Sequence, residues 1–214
     1  MSNPWLEIPL EEYEAHMSSA SVGQAQYLAD ALEELVLTHS PKSIAVIGCS
    51  GGNGFDRIPP ATVERVVGVD INPEYIAKTR GRFTGRFNQF ELLCEDVLSP
   101  MCTFPPVDLV FAGLLFEYVD CGPGLASIRD LVRPEGHLSV VLQLPSETTA
   151  AVSPSPYVSL RKLEPILTFI SPNIFSDYAG TLGLTVQRSR RTVLKSGKAF
   201  HEFLFQASAS FRSH

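Results

Sequence analysis

The sequence predicts an α/β fold, a three-layer sandwich around a mostly parallel sheet, on three observations. Short apolar runs alternate with helix-length segments, a glycine-rich turn directly follows the first run, and an acidic residue ends the second. The runs at 44–47, 66–69, 109–111 and 138–142 are nearly all apolar, as strands covered on both faces by helices are. Such βαβ units have right-handed crossovers and bring the C-terminal ends of the strands to a common edge, where ligands bind.

The elements follow in order. Leu28, Ala31, Leu32, Leu35 and Val36 recur at helical spacing within the first forty residues, and Ser40-Pro41 ends that helix. A weaker strand is expected near 91–93, and the turn 133–136 leads into the run at 138. A stretch rich in Pro, Ser and Thr at 145–156 breaks the rhythm, and a helix is expected over 157–169; the segment of about 145–170 reads as an insertion or lid. A short helix near 174–181 precedes two strands at 184–194 and 199–207. Ser196-Gly197-Lys198 between them forms a hairpin turn, which adds an antiparallel pair and brings the strand count to seven. The expected organisation is a helical cap at residues 1–41 and a single globular unit at 42–214.

Composition narrows the function. At 214 residues with 44% hydrophobic content the chain can bury its own core. Seventeen basic against 23 acidic residues, a net charge of −6, provide no positive field for a polyphosphate backbone, so nucleic acid is not an expected partner. The segment 80–87 with Phe90 interleaves Arg and Phe; its place between strands two and three predicts packed rings and solvated guanidinium groups. Arg188, Arg190, Arg191, Lys195 and Lys198 read as a charged sheet edge. The four cysteines form no CxxC pair and have no clustered His, which suggests neither a metal site nor a disulfide framework. The N-terminus lacks the basic start and apolar stretch of a signal peptide, and no run reaches membrane-spanning length; a soluble, cytoplasmic protein with no membrane partner is expected.

The strongest local signal is Ile47-Gly-Cys-Ser-Gly-Gly-Asn-Gly54, after a strand and before an expected helix, where small residues let the backbone turn sharply and approach a ligand. A phosphate-binding loop would end in Gly-Lys-Ser/Thr, and a dinucleotide fingerprint needs Gly-x-Gly-x-x-Gly in register; neither is present. Asp70 closes the second run 22 residues beyond Gly48, where a carboxylate accepts both hydroxyls of a ribose. Its alternative role is to cap the next helix, although Asn72 in Asn72-Pro73-Glu74 can do this instead.

With these residues in view, the chain from about residue 42 to 207 resembles the class I S-adenosylmethionine (SAM)-dependent methyltransferases, a Rossmann-like family. The segment 44–54 looks like their first motif, Val67-Gly-Val-Asp-Ile-Asn-Pro their second, and Cys94-Glu-Asp96-Val-Leu the acidic turn after strand three. The segment 107–119 looks like the fourth motif, and 131–138 the lead into strand five. The resemblance implies SAM as cofactor, with Gly48, Ser50 and Gly52 under its methionine and ribose, Asp70 on the ribose, and Ile71 on the adenine. It also places Asp96 and Val97 at the adenine edge and Ala112 of the fourth motif at the cofactor. Two positions depart from the family's pattern: Val46 stands where an acid is usual, and Ser50 where glycine is, which fits if its φ is negative.

Methyl transfer from a sulfonium is an in-line displacement, helped mostly by alignment and exclusion of water. Residues just past strand four face the reaction centre in the family, which nominates Glu117 and Tyr118 for positioning the acceptor; an aromatic wall is the other reading of Tyr118. The N-terminal stretch resembles the cap of small-molecule members and adds Tyr13, His16 and Tyr27, although each taken alone reads more readily as an ordinary exposed or core helix residue. The expected activity is methyl transfer to a small-molecule acceptor. The alternatives are a protein that binds SAM or its demethylated product, S-adenosylhomocysteine (SAH), without catalysis, and a nicotinamide or nucleotide-sugar enzyme.

Overall fold

The computed structural model describes residues 3–146 and 150–209; residues 147–149 of the expected insertion, and 1–2 and 210–214 at the ends, lie outside them. In chain order the elements are α1 (Leu10–Ser18), α2 (Gln24–His39), β1 (Ser43–Ile47), β2 (Arg65–Asp70), α3 (Pro73–Phe83), β3 (Gln89–Cys94), β4 (Val107–Gly113), α4 (Cys121–Asp130), β5 (Val132–Leu144), α5 (Pro172–Thr181), β6 (Leu184–Val193) and β7 (Ala199–Ala207). The strands form one seven-stranded sheet in the order β3-β2-β1-β4-β5-β7-β6. The first five run parallel, and β7 is antiparallel to both β5 and β6, as the hairpin turn predicts.

Alternate residues of each central strand feed two cores. Ala45, Ile47, Val110 and Ala112 face Leu125 and Ile128 of α4 and Phe175 of α5, while Ile44, Val46, Leu109 and Phe111 face Leu28, Leu32 and Leu35 of α2 and Ile76 of α3. These two faces make the three layers. Burial on both sides explains why the strand runs carry almost no polar residue.

Two helices expected from the sequence are absent. After the glycine turn the chain forms only a short 3₁₀ turn, Phe55–Arg57, and then the loop to β2. Gly51, Gly52 and Gly54 weaken a helix, and Pro59-Pro60 cannot continue one. Phe55, Ile58 and Val63, each at most 1% exposed, fill this part of the core instead. The segment expected as a helix over 157–169 is a 3₁₀ helix, Val158–Ile166, with Pro165 inside it. Leu160, Leu163 and Ile166 are three residues apart, so a three-residue turn aligns them on one face, against Ile8 and Trp5.

The N-terminal segment lies across the C-terminal ends of the strands and is fastened on two sides. Asn72 donates from its amide to the Trp5 carbonyl at 2.8 Å, the Tyr75 hydroxyl donates to the Ile8 carbonyl at 2.9 Å, and Arg82 pairs with Glu14 in two hydrogen bonds. From the other side Lys162 reaches Glu7 at 2.7 Å, and the Ser159 hydroxyl donates to Glu12.

Candidate active site

The glycine turn owes its shape to left-handed backbone at Gly48, Ser50, Gly52 and Gly54, with φ of 72°, 50°, 82° and 82°. A Cβ at Gly52 would meet the Phe83 ring at 2.5 Å, so this glycine is required by close packing as well as by φ. Ser50 does not have the negative φ expected for a side-chain-bearing residue. It is held left-handed because its amide donates to Asp70 Oδ2 at 2.8 Å and its carbonyl accepts from the Thr79 hydroxyl at 2.7 Å. Its own hydroxyl is buried without a partner.

Asp70, at the tip of β2, also accepts the Asn72 amide on Oδ1 at 2.9 Å. Asn72, not Asp70, caps α3, accepting the amides of Glu74 and Tyr75. Burial pushes the Asp70 carboxyl up to about 6, against the pull of the amides of Asn72, Ser50 and Ile71.

Two adjoining spaces open from this turn, and a third borders the first through Trp5, Tyr13, Leu114 and Tyr118. The first, about 160 Å³, is bounded by Gly48, Ser50, Asp70, Ile71, Asp96 and Val97. Asp96 is oriented by the Leu98 amide, which donates to its Oδ1 at 2.9 Å. The second, about 320 Å³, lies over Gly48, Ser50 and Gly52, with Val46 in its wall beside Glu14 and Arg82. The third is an inner chamber of about 40 Å³ lined by Trp5, Tyr13, His16, Glu117, Tyr118 and Lys198, among others. Tyr13 borders all three. Trp5 stands edge-on to Tyr13, centroids 5.3 Å apart, and to Tyr118, 5.0 Å apart. Burial and the nearby carboxylates of Asp70, Glu117 and Glu14 raise the Tyr13 hydroxyl, and burial with Tyr13 and Glu117 raises Tyr118, so both phenols stay neutral.

Glu117 is 3% exposed. Its Oε1 accepts the Gln143 amide at 2.5 Å, while Oε2 has no partner. Burial pushes this carboxyl up to about 7, with the Gln143 amide pulling the other way. His16 is lowered by burial and by Lys198, and burial brings Lys198 down to about 8. The Lys198 ammonium donates to the carbonyls of Ala150 and Ala151.

Gly48, Ser50, Asp70, Ile71, Asp96 and Val97 thus meet at one cavity, Gly52 at its neighbour, and Tyr13, His16, Glu117 and Tyr118 at the inner chamber. Ala112 lines none of the three: it is 0% exposed within the sheet core, and the next residue, Gly113, borders the first two spaces. Tyr27 lines none of the three spaces; its hydroxyl donates to Glu202 and its ring stacks on Phe200. Arg86 is not simply solvated, since it donates to the carbonyls of Phe55, Asp56 and Ile58. Lys198 belongs to the chamber and not to an exposed edge. The residues that sequence reasoning missed are Trp5, Gln143 and Lys198; Trp5, the chain's single tryptophan, was the one with a visible signal. Among the described residues no group of three or more His, Cys, Asp or Glu is placed to hold a metal ion, and no helix is long and apolar enough to cross a membrane.

Residues 45–140 match the family model of the methyltransferase domain. Magnesium protoporphyrin IX methyltransferase from Synechocystis PCC 6803, solved with SAM, superposes with a TM-score of 0.71 at 10% identity, over 97% of this chain and 98% of that one. The N-methyltransferase NodS from Bradyrhizobium japonicum WM9, solved with SAH, gives 0.68 at 15% identity over 96% and 99%. The [4+2]-cyclase SpnF gives 0.67 at 11% identity over 88% and 83%. No match was found among curated proteins. The protein has the class I methyltransferase fold, Rossmann-like and seven-stranded with the antiparallel C-terminal pair, and the stretch similar to the methyltransferase-domain model runs from β1 to β5.

Proposed function

We propose that the protein is a SAM-dependent methyltransferase acting on a small molecule. The observation that carries this reading is the Asp70 carboxylate at the tip of β2, in the wall of the cavity that the 48–54 turn bounds. An acid beside a left-handed glycine turn suits the ribose and adjoining chain of an adenosine ligand.

The residues present fit SAM. Asp70 offers a carboxylate to ribose hydroxyls, Ile71 and Val97 offer apolar contact to the adenine, and Asp96 an acceptor to its amino group. Gly48 and Gly52 leave room for the methionine portion, and the unpartnered Ser50 hydroxyl is available to a polar ligand atom. Bound SAM supplies a methyl group on a positively charged sulfur. The protein's part is then to orient and to exclude water. Residues 1–41 act as a cap through Trp5 and Tyr13, the segment at 145–170 closes the far side through Leu160 and Leu163, and Tyr118 with Glu117 positions the acceptor.

A second reading, binding of SAM or SAH without transfer, is favoured by Val46: an apolar side chain occupies the second cavity's wall where a carboxylate would hold the ligand's ammonium. Incubation with SAM and fractionated small-molecule extract, followed by SAH release, separates the two. Acceptor-dependent SAH supports transfer; SAM binding with no SAH from any fraction supports the second reading.

A further inference from the structure

Beside the two tyrosines lies a carboxyl group that the fold satisfies at only one of its two oxygens. Among the described residues Glu117 Oε2 is the one buried carboxylate oxygen without a hydrogen-bond partner, and it belongs to a side chain lining the inner chamber. Oε1 is fixed by the Gln143 amide, which fixes the plane of the carboxyl group and leaves Oε2 for something else. An unpaired buried acceptor is costly, and a ligand that donates to it removes the cost.

We infer that the methyl acceptor is an amine, held as its ammonium ion by Glu117 Oε2 beside the rings of Trp5, Tyr13 and Tyr118. The inference rests on the methyl-transfer reading above. The chamber shares Trp5, Tyr13, Leu114 and Tyr118 with the first cavity, so a group in it lies next to the proposed cofactor space. At about 40 Å³ it admits the head of a molecule, a nitrogen and its first carbons, not a whole ring system. Three electron-rich rings and the Glu117 carboxylate favour a cation over a neutral hydroxyl beside them; the Lys198 ammonium in the same lining is turned to the Ala150 and Ala151 carbonyls, and burial holds it toward its neutral form.

The titratable groups that line the chamber with Glu117 are Tyr13 and His16 from α1, Tyr118 beside it, and Lys198 ahead of β7. The tyrosines are neutral, His16 is held toward its neutral form, and the Lys198 ammonium is engaged by two backbone oxygens. Glu117, held near 7 by burial, is matched to take a proton close to neutral pH. The step balances: one ammonium proton moves to Glu117 Oε2, the freed nitrogen lone pair forms the N–C bond, and the electrons of the broken C–S bond stay on sulfur.

Trp5 is the only tryptophan, so intrinsic fluorescence reports on this chamber. n-Butylamine and its neutral isostere 1-butanol are titrated into the protein with and without saturating SAH, in the wild type and in Glu117→Gln, with circular dichroism as the fold control. The expected result is saturable binding of butylamine at least about tenfold tighter than butanol, reduced at least about tenfold by Glu117→Gln, as loss of a charge-assisted hydrogen bond implies. Should that variant not fold, the wild type decides: amine binding weakens as pH falls through about 7, because protonated Glu117 no longer attracts a cation, and Lys198→Met keeps that dependence. No saturable response to butylamine, equal affinity for butanol, or indifference to both Glu117→Gln and pH overturns the inference. A parallel calorimetric titration with SAM keeps the two ideas apart. SAM binding without amine binding removes the amine inference alone; Glu117-dependent amine binding without SAM binding removes the proposed function and leaves an ammonium site.

Discussion

The carboxylate of Asp70 holds the amide of Ser50 at 2.8 Å, tying the tip of β2 to the turn after β1. One oxygen fixes the turn, the other accepts from Asn72, and the same group borders the cavity. Asp70 therefore shapes the turn and faces the cavity proposed for the cofactor. Asp70→Ala is expected to lower SAM affinity at least tenfold and also to cost about 1–3 kcal/mol of stability, since two amides lose their acceptor. Titration calorimetry and thermal melts check both; unchanged affinity refutes the ribose contact, and an unchanged melt refutes the structural one.

Affinity for SAM is expected to fall as pH drops through about 6, where Asp70 takes up a proton and no longer accepts from two hydroxyls. Titrations from pH 5 to 8 in the wild type and Asp70→Asn test this. A wild-type curve as flat as the variant's contradicts it.

Ser50 has a left-handed φ and a buried hydroxyl without a partner. Ser50→Gly removes both costs, partly offset by glycine's greater unfolded-state freedom, so the ligand-free protein should gain up to about 1 kcal/mol. If the hydroxyl meets the cofactor, the same variant binds SAM more weakly. A lower melting temperature contradicts the strain argument.

The ligand-free protein should lose stability as pH rises from about 4 to 7. Asp70 and Glu117 both have folded-state values above those of the unfolded chain, so the folded state binds protons more tightly; the benefit is complete below the unfolded values and is lost as pH rises through the folded ones. Glu117 alone, moved from 4.5 to about 7, accounts for about 3 kcal/mol. Denaturant melts of Glu117→Gln should show a shallower pH slope; an identical slope argues that Glu117 is not buried as described.

Arg82 bridges Glu14 of α1 and the Gly51 carbonyl, at 2.9 Å, so it latches α1 to the turn. The pair is partly exposed, and Arg82→Ala should cost under about 1 kcal/mol of stability. Its effect is expected in kinetics: SAM dissociation accelerates severalfold in stopped-flow displacement. An unchanged dissociation rate means that α1 does not gate the site.

The parts of the molecule that were legible in the sequence are those fixed by local pattern. Two-sided burial left apolar runs at β1, β2, β4 and β5, and close approach left glycines at 48, 52 and 54. What escaped was decided by competition or distance. Pro59-Pro60 and Pro165 override the helical periodicity around them. The negative φ expected of Ser50 yields to hydrogen bonds from β2 and α3. Ala112 sits one residue from the cavity, a displacement that strand alternation turns into the opposite face. Glu117 looks like a loop acid until Gln143, from β5, and Tyr13, from α1, close over it; those contacts span 26 and 104 residues of chain.

Calorimetric titration of the purified protein with SAM, SAH and NAD tests the central claim most directly. Micromolar binding of SAM and SAH with no response to NAD is the result expected from the Asp70 cavity and its glycine turn. Binding of NAD alone, or silence toward both SAM and SAH, contradicts the account.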